Sequence, residues 1–200
     1  MIKLFNHHFK INKAIKLYTM GYFGLWLVTI IYIRFDGVEA SFKWLIFDRG
    51  ESVAVLLHRE SDNKICLVEQ FRPATLVSYG YFATIGGEML EIIAGSLESG
   101  EKPIDCLHRE TAEEAGRLVK NVRLVTDCFM SPGGTSEKIS IYLADDDGSA
   151  DLPGGGLKEE NEDIRIHWVT LDEAKKMIKT GEIQDAKTII AIQALLLEKI

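Results

Sequence analysis

The chain has 200 residues, 46% hydrophobic and 26% charged, which suits one globular domain with a proper core and a small appendage. A net charge of −7, with no Lys/Arg stripe beyond the first sixteen residues, argues against nucleic acid as a partner. Cys66, Cys106 and Cys128 are odd in number and lack metal-ligand spacing, so reduced, buried thiols of a cytoplasmic protein are expected.

Met1 to Lys16 carries Lys3, Lys10, Lys13 and Lys16 and no acid, and Met20 to Ile33 is almost wholly apolar. With Val38-Glu39-Ala40 beyond it, this is similar to an export leader with a small-x-small cleavage site. The run is too short to span a bilayer, however, and Arg34 and Asp36 follow it. Its β-branched and aromatic content predicts a strand over Leu25–Ile33, a turn at Asp36-Gly37 and a second strand over Ala40–Phe47. Such a hairpin is apolar on both faces and calls for a second subunit to cover it.

Val53–Leu57 and Ile65–Val68 read as strands joined by the polar turn Ser61–Lys64. Ala74–Gly87 is turn-rich, and Met89–Ala94 is a short strand delivering Gly95. Pro103 favours a helix start and Gly116 a left-handed stop, which places a helix between them. Val122–Phe129 and the alternating Ile139, Ile141 and Leu143 are strands around the turn Ser131–Glu137. Asp145–Glu160 is expected to be a long mobile loop, Ile164–Val169 a strand, Leu171–Lys179 a helix capped by Thr170 and ended by Gly181, and Ala186–Lys199 a last helix.

On the helix after Pro103, Ile104, Leu107, Thr111, Ala115 and Leu118 share one side, and Glu110, Glu113 and Glu114 lie beside it. Three neighbouring carboxylates repel, so a positive group should sit among them, and a hard cation bound through oxygen would serve. His58 and His167 have no second ligand at metal spacing and read as structural.

The string from Gly95 to Arg117 resembles the Nudix box, Gly-x5-Glu-x7-Arg-Glu-U-x-Glu-Glu-x-Gly-U, with U a bulky aliphatic residue. Gly95, Glu101, Arg109, Glu110, Glu113, Glu114 and Gly116 fill all seven fixed positions, while Thr111 and Arg117 depart at the U positions. The resemblance implies an α/β Nudix α/β/α sandwich with mixed β-sheets, preceded by an N-terminal β-hairpin extension. The corresponding division is a dimerisation hairpin, exchanged between subunits in relatives, over 1–45 and a Nudix hydrolase domain over 46–200. Together with "VEQFR", "SPGGTSEKISIYL" and "ENEDIR", the chain looks like the ADP-ribose pyrophosphatase branch.

Carried over position by position, that branch implies Mg²⁺, with Mn²⁺ as a substitute, held by the Ala94 carbonyl, Glu110 and Glu114, with Glu113 assisting. It places the general base at Glu160 with Glu162 beside it. It assigns substrate contacts to Arg49, Arg72, Ser96, Ser131, Pro132, Gly133 and Glu137, and adenine stacking to Tyr22 and Phe23. Trp44 and Leu45 replace a charged pair found in relatives. The implied activity is hydrolysis of ADP-ribose to AMP and ribose 5-phosphate by a cytoplasmic homodimer that binds neither nucleic acid nor membrane. A GDP-mannose or broad nucleotide-sugar hydrolase is the alternative within the class, and a non-catalytic ADP-ribose sensor the alternative outside it.

Overall fold

The structure, a computed structural model, describes residues 9–21, 23–78, 86–149 and 151–198. It divides into two compact units, one of residues 1–50 with 129–138 and one of residues 51–128 with 139–200.

The first unit is a three-stranded antiparallel sheet in the order β1 (Phe9–Met20), β2 (Phe23–Ile33), β3 (Glu39–Asp48). The apolar run is therefore strand β2. Among the described residues no helix is long and apolar enough to cross a membrane. The β2–β3 turn is closed by Asp36, whose Oδ1 accepts from Val38 N, and by Gly37 at φ 80°. The basic segment before the apolar run forms strand β1, an element the sequence reading did not contain. Register shifts between Ile11 and Lys13 and between Lys16 and Tyr18 interrupt its pairing with β2, and the alternation of Phe9, Ile11, Ile15 and Leu17 with Lys10, Asn12 and Lys16 is the sequence signal for it. Large apolar side chains stay exposed, including Phe9 at 73% and Tyr18 at 63% on β1, and Trp44 and Leu45 on β3.

The segment 129–138 is zipped onto the end of β3. Phe47 N donates to Gly134 O and Ser136 N to Phe47 O, while Trp44 Nε1 donates to Gly133 O at 2.8 Å.

The second unit holds a seven-stranded sheet ordered β10 (Arg165–Thr170), β5 (Lys64–Phe71), β4 (Glu51–Arg59), β9 (Lys138–Asp146), β8 (Val119–Phe129). The short β6 (Glu88–Glu91) and β7 (Ile93–Ser96) pair with β5 and β4. Strand β4 is buried on both faces. Val53, Val55 and Leu57 meet Cys106 and Leu107 of α2 (Pro103–Ala115), while alternation turns Ala54 and Leu56 to the opposite side. There α4 (Ala186–Glu198) packs on β4, and α3 (Leu171–Thr180) packs on α4 and β10. A five-residue helix α1 (Ala74–Ser78) follows β5. Helix α3 begins with a capping box in which Thr170 and Glu173 satisfy each other's backbone donors.

Both departures from the box pattern have local explanations. Thr111 is fully buried and returns its hydroxyl to Leu107 O at 2.7 Å. Arg117 forks onto buried Asp146, Nη2 to Oδ2 at 2.7 Å, and lies over the Trp168 ring. Cys66 and Cys106 are buried free thiols, but Cys128 is only half-buried.

Candidate active site

Helix α2 starts at Pro103 and ends at Gly116 in the left-handed region, φ 65°, as the box spacing predicts. Its carboxylate face is not a solvated one. Glu110 is 8% exposed and Glu114 1%, on a par with Leu107 and Ala115, whereas Ile104 and Leu118 of the expected packing face are exposed.

Gly95 on β7 passes directly beneath this face. An ideal Cβ there would lie 1.8 Å from Glu110 Oε1, so the absence of a side chain is what makes room for the carboxyl group. One residue earlier, Ala94 N donates to Glu114 Oε2 at 3.3 Å.

The positive group expected among the acids is Arg109 of the same helix. Its guanidinium donates to Glu101 through Nε and Nη2, to Glu110 Oε1 at 2.7 Å, to Glu113 Oε2 at 3.0 Å, and to Ser96 O at 3.3 Å. One fork thus ties the Gly95–Glu101 loop to the helix. Beside Arg109 the Glu101 carboxyl is held down at about 2. Glu110 and Glu114 move the other way. Burial outweighs Arg109 and lifts Glu110 to about 7, and burial with the charges of Glu110 and Glu162 lifts Glu114 to about 8.

The loop expected to be mobile is anchored. Gly155 N donates to Glu114 O, Gly156 N to Glu113 O and Leu152 N to Gly116 O, satisfying carbonyls that the end of α2 leaves open. A Cβ on Gly154 would meet Gly116 N at 2.8 Å, so the two glycines permit a backbone-to-backbone crossing. This places the loop's two acids unequally. Glu162 is half-buried, accepts from Leu157 N at 3.0 Å and raises the pKa of Glu110 and Glu114 by its charge. Glu160 ends an exposed 3-10 turn, and its carboxylate has no hydrogen-bond partner among the described residues.

Arg72, just beyond β5, forks onto Glu91 and lies near enough to Glu114 to lower its pKa. In the other unit the β3–turn pairing assembles a second group. The Arg49 guanidinium is 3.7 Å from Glu137 and stands over Phe23 and Phe47, which are 5.7 Å apart. Ser136 links Asp48 Oδ1 to Arg49 N, and Ser131 O closes the turn by accepting from Gly134 and Thr135 N. Pro132 and Gly133 lie within that turn; Tyr22 lies outside the described residues. His58 and His167 are occupied structurally, by Asn63 and Glu69.

The NUDIX domain model matches residues 48–191. The chain belongs to the Nudix family. GDP-mannose pyrophosphatases of Shigella flexneri serotype 5b and Escherichia coli O1:K1 are each 35% identical over 181 residues, covering 90% of this chain and 91% of the relative. A crystal structure of an ADP compounds hydrolase matches with a TM-score of 0.69 at 17% identity, over 94% of this chain and 92% of that one, which speaks to the Nudix fold.

A divalent cation, which Nudix hydrolases generally use, fits the donors present. They are all hard oxygens. Two of them are buried carboxylates that resist ionising until a positive charge joins them, and Gly95 leaves the space a Cβ would fill. Among the described residues no three acids already converge on one point, because Glu110 and Glu113 are drawn onto Arg109.

In the sequence Glu101 and Arg109 stand out only as fixed positions of the box. Their pairing eight residues apart was the available signal for the hub.

Proposed function

We propose that this Nudix hydrolase is a Mg²⁺-dependent pyrophosphatase of nucleoside diphosphate sugars, releasing a nucleoside monophosphate and a sugar phosphate. The observation that carries the reading is the pair of buried carboxylates, Glu110 and Glu114, over the Gly95 cradle. With the Ala94 carbonyl they would hold the cation, whose charge neutralises the diphosphate when bound. Arg109 keeps loop and helix in one geometry, and Glu113 shares that guanidinium. In the second unit Arg72 supplies a cationic partner for phosphate oxygens, and the family resemblance assigns Ser96 to the substrate as well; in the first unit the resemblance assigns substrate contacts to Arg49, Phe23, Ser131–Gly133 and Glu137.

A loop carboxylate takes the proton of the attacking water. Proximity to Glu110 and Glu114 favours Glu162 over Glu160 for that role. GDP-mannose is favoured as substrate by full-length relatives named for it, and ADP-ribose by the motifs around Ser131 and Glu162. The exposed apolar side chains of β1 and β3 support a homodimer that covers this sheet.

The test is release of GMP from GDP-mannose and of AMP from ADP-ribose, with and without Mg²⁺, by wild type, Glu114→Gln, Glu160→Gln and Glu162→Gln. We expect Mg²⁺-dependent turnover that Glu114→Gln abolishes, that Glu162→Gln cuts by about 10²-fold or more, and that Glu160→Gln cuts less. Survival of both nucleotide sugars with the wild type sinks the reading. A larger loss in Glu160→Gln than in Glu162→Gln moves the base to Glu160.

A further inference from the structure

Behind Arg72 lies a charge network that the carboxylate site does not use. Glu91, at the end of β6 and 2% exposed, receives two cations. Arg72 grips it edge-on, Nε to Oε1 at 2.8 Å and Nη2 to Oε2 at 2.9 Å, and Lys187 Nζ bonds Oε2 as well. Lys187 also lies 3.1 Å from Asp185 Oδ1. The other oxygen of Asp185 accepts from Thr188 N and Thr188 Oγ1, capping α4, and Thr188 Oγ1 accepts from Ile92 N at 2.8 Å. The first turn of α4 is thereby stitched to the strand that leads into Ala94 and Gly95.

Two features point beyond scaffolding. An apolar filling of similar volume usually stabilises as well as a buried ion network, so its presence calls for a use. The second feature is how Arg72 is spent. With Nε and Nη2 on Glu91, Nη1 is left without a partner among the described residues, and the side chain is 40% exposed. Lys187 shares the Glu91 carboxylate and is itself paired with Asp185, so the four charges balance; what Arg72 keeps for an anion is a free donor edge fixed in orientation.

We propose that Glu91 and Lys187 are positioning residues for Arg72, locking the Nε–Nη2 edge of its guanidinium so that Nη1 is presented in one orientation to the substrate diphosphate. The proposal rests on the reading of Arg72 as a diphosphate contact given above.

The experiment has two arms. In ¹⁵N spectra of the full chain, the Arg72 Nε–Hε signal, assigned by its loss in Arg72→Lys, should be protected from exchange in wild type and Lys187→Arg and exposed in Lys187→Met. With whichever of GDP-mannose and ADP-ribose the wild type hydrolyses, Lys187→Met should raise KM about tenfold with kcat nearly unchanged. Lys187→Arg should restore it, and in an Arg72→Met background Lys187→Met should add nothing. Where the Met variant does not fold, Lys187→Gln, which keeps a donor for Glu91 without the charge, takes its place with the same expectation. An unchanged Nε–Hε signal overturns the proposal. So does a KM effect of Lys187→Met that persists without Arg72. Wild-type KM in Arg72→Met removes the substrate role of Arg72 and the positioning role with it, while hydrolysis of the nucleotide sugar itself still stands.

Discussion

Replacing Gly95 by Ala separates the stability of this fold from its chemistry. Gly95 is not in the left-handed region, so Ala meets no backbone strain, and the whole effect comes from the new methyl group. That carbon would stand 1.9 Å from Glu110 Cδ, and restoring ordinary contact at 3.4 Å moves the carboxyl by about 1.5 Å. The carboxyl belongs to a side chain that can swing away, and what is lost is its bond with Arg109, about 2 kcal/mol for a charged hydrogen bond. Restricting the unfolded chain returns about 0.5 kcal/mol. The net of about 1.5 kcal/mol lowers Tm by roughly 3–6 °C in a domain of this size. A displacement above an ångström in a metal-holding group costs on the order of 10²-fold in rate, about 2.7 kcal/mol in the barrier. The assay is nucleotide-sugar hydrolysis across a Mg²⁺ titration beside a thermal melt. Wild-type turnover at wild-type Mg²⁺ demand in Gly95→Ala would refute the placement of Glu110 at the cation.

Because the folded pKa values of Glu110 (about 7) and Glu114 (about 8) lie above the ordinary carboxylate range, the native state holds extra protons between about pH 4.5 and 8, and metal-free stability falls as pH rises through that window. Melts in EDTA should therefore drop from pH 6 to 8.5 while the added stability from Mg²⁺ grows, and a flat or rising EDTA profile contradicts the assignment; Glu91 and Glu101, held near 2, complete their contribution below this range. Arg109→Lys keeps the charge but loses the fork shared by Glu101, Ser96, Glu110 and Glu113, so kcat should fall about tenfold or more with the loop more open to proteolysis, and unchanged values of both refute the hub.

Box and strands were legible because their signals are local. Val53–Leu57 and Ile65–Val68 announce strands by composition, Pro103 and Gly116 announce the ends of α2, and Thr170 with Glu173 announces α3. What escaped reading depends on partners far along the chain or on backbone alone. Strand β1 is the exception, because its lysines resemble the start of an export leader although Phe9, Ile11, Ile15 and Leu17 alternate with polar residues. The segment from Leu152 to Gly156 looked mobile because its anchors are N–H groups on the carbonyls of α2, which leave no mark in side-chain pattern. Glu91 and Lys187 meet across ninety-six positions, and neither lies in the box.

The same distinction explains why one arginine serves the carboxylate face while another faces outward. Arg109 spends its donors on Glu101, Glu110, Glu113 and Ser96, with none of its nitrogens left over, so it acts as an internal counter-ion. Without it Glu110, already at about 7 with the guanidinium in place, would be pushed higher still by its burial. A cation arriving at Glu110 and Glu114 then does not meet a bare cluster of three charges. Bound there as proposed, it would displace protons and part of one ion pair, so binding would depend on pH, while Arg109 holds loop and helix in one geometry without it. Arg72 is held from behind by Glu91 and keeps Nη1 uncommitted among the described residues, which is the arrangement the proposed contact with the substrate diphosphate needs.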